Sequence, residues 1–136
     1  MSTSGLLAAY AASYAGTVFD WPAANCCHFA AGWVKQMTGR DPMDGLPVTR
    51  NAFGARRLIL RLGGSMQSAW ARQMGADPIN PKMAHVGDIV LFDIDPSDPA
   101  SGVVGVCAGR TSVVALADGV IAHVPTLEAV AAWRVA

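Results

Sequence analysis

Apolar residues recur at helical spacing through the first half of the chain and gather into short runs in the second. In residues 3–14, Leu6, Leu7, Tyr10 and Tyr14 fall on one face, which predicts a helix ended by Gly16. Residues 17–24 hold Phe19, Trp21 and Pro22 and read as an extended loop. Asn25 is a suitable N-cap for a helix from Cys26 to about Thr38, stopped by Gly39 with Pro42 beyond. Cys26, Ala30, Trp33 and Met37 share one face of that helix, with Phe29 and Val34 beside it, so it is expected to be buried. After a loop over 41–49, the pattern predicts a helix over Asn51–Leu62, closed by Gly63 and Gly64. A shorter one, capped by Ser65, runs from Met66 to Met74 and ends at Gly75.

Past the connector 76–86 the helical period is lost. Runs at 88–93, 103–107, 111–117 and 120–124 have strand composition, and Asp118-Gly119 is a strong hairpin-turn signal between the last two. Thr126 is placed to cap a final short helix through Ala132, after which 133–135 return to the sheet edge. Helices first and meandering strands last predict an α+β fold, with N-terminal helices packed on a C-terminal antiparallel sheet. At 136 residues the chain suits one domain spanning 1–136.

Composition narrows the function classes. Charged residues make up 15 %, against about 25 % in ordinary soluble domains. A surface short of charge points to a partner that covers part of it; the alternative is simply a small alanine-rich domain. The stripe on the first helix is one candidate for such a contact, unless it packs on the domain's own core. Ten basic and ten acidic residues balance, so the basic excess of a nucleic-acid binder is missing. No segment approaches the roughly 18 apolar residues of a membrane span, and the N-terminus lacks the basic region of a signal peptide. The three cysteines are odd in number and two are adjacent, which argues against a disulfide framework and for synthesis in a reducing cytoplasm.

Cys26 is the residue with chemical promise. A cysteine in the first turn of a helix faces unsatisfied N–H groups and the positive end of the helix dipole, both of which favour thiolate. Cys27 and Cys107 read as space-filling core residues. The Cys26-Cys27-His28 run does not have the ligand spacing of a tetrahedral metal site, so neither metal nor other cofactor is expected. A catalytic cysteine needs a base. His28 points away from Cys26 on the same helix, His85 lies in the connector, and His123 lies on the fourth strand.

The stretch from Phe19 through Asn25-Cys26-Cys27-His28, followed by Gly87-Asp88-Ile-Val-Leu-Phe92, resembles the NlpC/P60 superfamily. That resemblance implies a papain-like fold. In the family, Asp-Cys opens a helix, a Gly-Asp strand follows, and a His-Val-Gly-Ile strand begins with the catalytic histidine. The next strand brings a third polar residue. More closely, the chain is similar to short NlpC/P60-like proteins encoded among the tail-tip genes of long-tailed bacteriophages and gene-transfer particles. The shared features are the Cys-Cys pair, Thr38-Gly-Arg-Asp-Pro42, the Gly-Asp strand, Gly102-Val-Val-Gly-Val106 and the terminal Trp133-Arg134.

Cys26 matches the family nucleophile, but Asn25 stands for Asp, Pro22 for Gly, and Val103 for the base. Residues 112–117 offer no histidine, Asn or Gln for the third position. The resemblance therefore implies a structural or adaptor protein of the phage tail tip (baseplate), made in the host cytoplasm, carried in the virion and catalytically weak or inactive. Its partners would be hub and central tail proteins. The alternative is an active cysteine peptidase or amidase that uses Cys26 on cell-wall peptides, with His123 or His85 recruited as base.

Overall fold

A computed structural model describes residues 2–16, 26–116 and 119–135. Its α-helices are α1 (Thr3–Tyr14), α2 (Cys26–Thr38), α3 (Ala52–Gly63) and α4 (Met66–Met74). The strands are β1 (Ile89–Phe92), β2 (Val103–Cys107), β3 (Thr111–Ala115), β4 (Ile121–Pro125) and β5 (Ala131–Trp133). The fold is α+β, and the strands form one antiparallel sheet in the order β4-β3-β2-β1-β5.

Local chemistry sets the helix ends. Ser2, Asn51 and Ser65 each accept a backbone N–H three residues on, which satisfies a donor that the first turn leaves free. Gly64 and Gly75 close α3 and α4 at φ of 86° and 70°, a region where a Cβ is strained. The expected cap Asn25 and the aromatic loop before it lie outside the described residues, as does Asp118. The hairpin around that turn is nonetheless formed: β3 and β4 pair in register, and the Leu116 N–H donates to the Val120 carbonyl at 2.9 Å.

The C-terminal reading needs correction. The expected helix from Thr126 to Ala132 is a single 3-10 turn, Thr126–Glu128, and the chain re-enters the sheet as β5 against β1. Thr126 does not cap a helix. Its hydroxyl is buried, donates to the Gly109 carbonyl at 2.7 Å and lies 2.8 Å from the Ser112 hydroxyl. Ala131, Ala132 and Trp133 are completed as a strand by pairing partners far away in sequence, which local propensity does not register.

The core lies between the sheet and α2. Phe29, Ala30, Trp33 and Val34 from the helix meet Ile89, Leu91, Val104, Val106 and Trp133 from one sheet face. Trp33 is fully buried, and its indole N–H donates to the Gly87 carbonyl at 2.8 Å, which ties the middle of α2 to the entry of β1. Met37, expected on the same packed face, is half-buried against this core.

The apolar stripe of α1 is used internally. Leu7 is buried, Leu6, Tyr10 and Tyr14 pack against the core, and the Tyr10 hydroxyl donates to the Phe29 carbonyl at 2.7 Å. Val90, Phe92, Cys107, Val114 and Ala132 form a smaller cluster on the opposite face of the sheet.

Candidate functional site

Cys26 is the first residue of α2 and is half-buried. It lines a surface cavity of about 280 Å³ whose wall includes Ala55, Ile59, Met66 and Gly102. Its thiol is lowered from the ordinary cysteine range to about 7. The largest cause is the neighbouring thiol of Cys27, which donates to the Cys26 sulfur; burial opposes it, and the N–H groups of Val104, Cys27 and Cys26 itself add to the lowering. Cys27 is correspondingly pushed well up, chiefly by giving its proton to that contact and then by burial. The indole N–H of Trp70 faces the Cys27 sulfur and acts the other way. When Cys26 ionises, its thiolate is thus held by the Cys27 thiol.

None of the groups that set the Cys26 thiol is an imidazole. His85 is exposed, and its Nδ1 lies 2.6 Å from the Arg134 guanidinium. It precedes Gly87, which is tied to Trp33, and Trp33 lies seven residues along α2 from Cys26. At 1.5 Å per residue that separation is about 10 Å.

His123 is exposed on the edge strand β4 and borders a concavity beside Ala8, Ala11 and Ala12 of α1. The registers Val106–Val113 and Val113–His123 put it two strands across from β2 and two residues along from Val104. With strands about 4.8 Å apart and a rise of about 3.4 Å per residue, its backbone lies roughly 12 Å from that of Val104. His28 is half-buried on α2, two residues after Cys26. The structure therefore brings neither His85 nor His123 to the sulfur.

Val103, expected where a base would stand, turns to the other face of the sheet and packs with the smaller cluster. Val104 is the residue that faces α2. Gly102 lines the cavity beside Cys26, yet a side chain there would meet Leu91 Cδ1 at 3.0 Å and Met66 Cγ at 3.2 Å. Arg56 of α3 and Asp98 of the β1–β2 loop are paired across the mouth of the cavity. That pairing lowers the Asp98 carboxyl and raises the Arg56 guanidinium.

The Gly-Asp motif has a structural role here. Asp88 is buried and accepts the N–H of His85 at 2.8 Å and of Val135 at 3.2 Å, with Arg134 at 3.3 Å. One carboxylate thus anchors the entry of β1 to the chain after β5. Cys107 is buried at the end of β2, beside Thr126 and the Gly109 backbone, and takes no part in the cavity. Among the described residues no cluster of three His, Cys, Asp or Glu side chains is placed to hold a metal, and no helix is long and apolar enough to cross a membrane.

Sequence reasoning singled out Cys26 but missed the apolar space behind it. A second cavity of about 80 Å³ lies under α3, lined almost wholly by carbon, and shares Cys27, Ala55, Ile59 and Met66 with the first. The signal was present in α3, where Ala55, Leu58, Ile59 and Leu62 repeat at helical spacing.

Comparison with known proteins gives one finding. No curated protein and no solved structure matches the chain. Residues 3–135 match the model of a family described as a domain of unknown function, DUF6950, so the chain belongs to that family.

Proposed function

We propose that the protein is a structural or adaptor component of a long-tailed phage tail tip, built on a degenerate papain-like domain of NlpC/P60 type. Its nucleophile position, Cys26, is retained, and hydrolysis is lost or weak. The observation that carries this reading is a cysteine at a helix start, packed on an antiparallel sheet, with no imidazole among the groups that set its ionisation. Peptide hydrolysis requires a proton to reach the leaving amine, and a positioned acid–base group supplies about 10²–10⁴-fold in rate. The order of elements and the low share of charged residues support the adaptor side of the reading. The tail-tip assignment rests on the resemblance of the motifs. On this reading the partners are hub and central tail proteins, and the protein is carried in the virion.

Two measurements test it. Purified peptidoglycan is incubated with wild type and Cys26→Ala, and no Cys26-dependent cleavage is expected. The chain is also co-purified with tail-tip hub proteins, and a stable complex is expected. A lone monomer with no affinity for them would remove the adaptor role.

The alternative, a cell-wall peptidase or amidase using Cys26, is favoured by one observation: a thiol near 7 is about half thiolate at neutral pH. Clear cleavage lost in Cys26→Ala would establish that alternative.

A further inference from the structure

The balanced net charge conceals a segregated pattern. Between Asp44 and Asp77 the chain carries Arg50, Arg56, Arg57, Arg61 and Arg72, with no acidic residue and no lysine. Arg50 stands just before the α3 cap, and Arg56, Arg57 and Arg61 lie on the helix itself. No residue of α3 is buried. Its inward side, with Ala55, Ile59 and Leu62, rests over α4 and the core. Its outward side leaves Phe53 69 % exposed, and Val48, in the loop before the helix, is 65 % exposed.

A concavity of about 340 Å³ lies on this outer side, lined among others by Val48, Arg50, Phe53, Arg57, Leu58 and Arg61. None of these three arginines has an ion-pair partner among the described residues. Arg56, which does not line it, holds Asp98 of the β1–β2 loop, so this helix already captures one carboxylate from an irregular segment. The Arg57 Cζ stands 5.8 Å from the centre of the Phe53 ring, a stacking arrangement that leaves the guanidinium N–H edge for an acceptor. Arg57 and Arg61 are about one helical turn apart, a rise of about 6 Å. Alternate residues of an extended strand are about 6.6 Å apart and share one side, so carboxylates two positions apart match these two guanidiniums.

We propose that this face of α3 docks an acidic, extended segment of a partner protein. Alternate carboxylates of that segment pair with Arg57 and Arg61, and an aliphatic side chain covers Phe53 and Val48. Arginines beside an exposed aromatic ring have the composition of an interface rather than of an ordinary solvated surface. An anionic bilayer fits less well, because a helix lying in a membrane buries its apolar side there, and the apolar side of α3 is turned inward. A nucleic acid is a longer polyanion and would run on to the rest of the chain, where acids outnumber bases. The inference rests on the adaptor reading for its purpose and on the charge pattern for its chemistry.

The test is fluorescence anisotropy with the full chain and a labelled peptide that carries aspartate at alternate positions and leucine at its ends. Saturable binding at low salt is expected, weakened by added salt and absent for the same peptide with lysine in place of aspartate. Arg57→Ala and Arg61→Ala should each weaken binding about two- to fivefold, and the two together about tenfold. Arg110→Ala, an equal loss of charge at the β2–β3 turn, should leave it unchanged. All three arginines are exposed, so the variants should keep the far-ultraviolet circular dichroism of the wild type.

No saturable binding, or equal weakening by Arg110→Ala, would overturn the proposal. So would tighter binding to single-stranded DNA or to phosphatidylserine vesicles than to the peptide. Peptide binding without a hub complex keeps this face and removes the adaptor role. A hub complex indifferent to the Arg57→Ala and Arg61→Ala pair keeps the adaptor role and removes this proposal.

Discussion

Trp33→Ala probes the link between the cysteine helix and the sheet. The ring is fully buried, within 5.7 Å of the Tyr10 ring, and its N–H holds the Gly87 carbonyl at 2.8 Å. Truncating a buried aromatic to alanine costs about 3–5 kcal/mol, because the surrounding core relaxes only in part. The Gly87 carbonyl also loses its donor, and an orphaned buried acceptor costs about 1–3 kcal/mol. The two overlap, since a larger cavity can admit water to that carbonyl, so the expected loss is about 4–6 kcal/mol. Against a total stability of about 5–15 kcal/mol for a domain, that is about a quarter of the whole or more. Trp33→Phe keeps most of the ring volume and removes only the donor, so it should lose about 1–3 kcal/mol. Urea unfolding followed by far-ultraviolet circular dichroism reads both, with an unchanged slope showing that only stability has moved. A loss below about 1 kcal/mol for Trp33→Ala at constant slope would refute the argument, because no buried tryptophan in a packed core is that dispensable.

Two further outcomes follow from contacts on α2. Gly32→Ala should destabilise by about 1–2 kcal/mol, against the usual gain for such a change in a helix, because the new methyl would collide with the Tyr10 hydroxyl. In a Tyr10→Phe background the same change should be milder, and the double-mutant cycle measures the difference. Cys27→Ala removes the main donor to the Cys26 thiolate. In wild type the iodoacetamide reaction should rise with pH through a midpoint of about 7, and in Cys27→Ala that midpoint should move upward; an unmoved midpoint would deny the thiol–thiolate contact.

The sequence was legible where a local rule and a tertiary contact agree. Ser65 caps the helix it announces, Gly64 and Gly75 end α3 and α4, and the runs at 111–117 and 120–124 pair as an antiparallel hairpin through Thr111–Ala115 and Ile121–Pro125. It misled at Thr126–Ala132, where the expected helix gives way to a 3-10 turn and a strand completed by β1. It was silent on Asp88, whose partners Val135 and Arg134 are nearly fifty positions away. The cysteine's position was readable from the cap logic of a helix start. The thiol–thiol contact and the cavity were not, because they depend on how α3 and α4 lie against α2.

On the proposed NlpC/P60 reading, the face of β2 decides whether a base could be restored beside Cys26. The resemblance to NlpC/P60 proteins puts that family's base at Val103, which invites Val103→His as a restoration. Alternation along a strand sends residues 103 and 104 to opposite faces, and here Val104 joins the α2 core while Val103 joins the far cluster. An imidazole at 103 would therefore be separated from Cys26 by the sheet itself. The other neighbour is closed as well, since a side chain at Gly102 would press on Leu91 and Met66. Val103→His should thus leave the alkylation profile of Cys26 unchanged and produce no cleavage of peptidoglycan. Either a shifted Cys26 midpoint or new hydrolysis in Val103→His would show that residue 103 reaches the sulfur, and would overturn the strand register on which this reasoning stands.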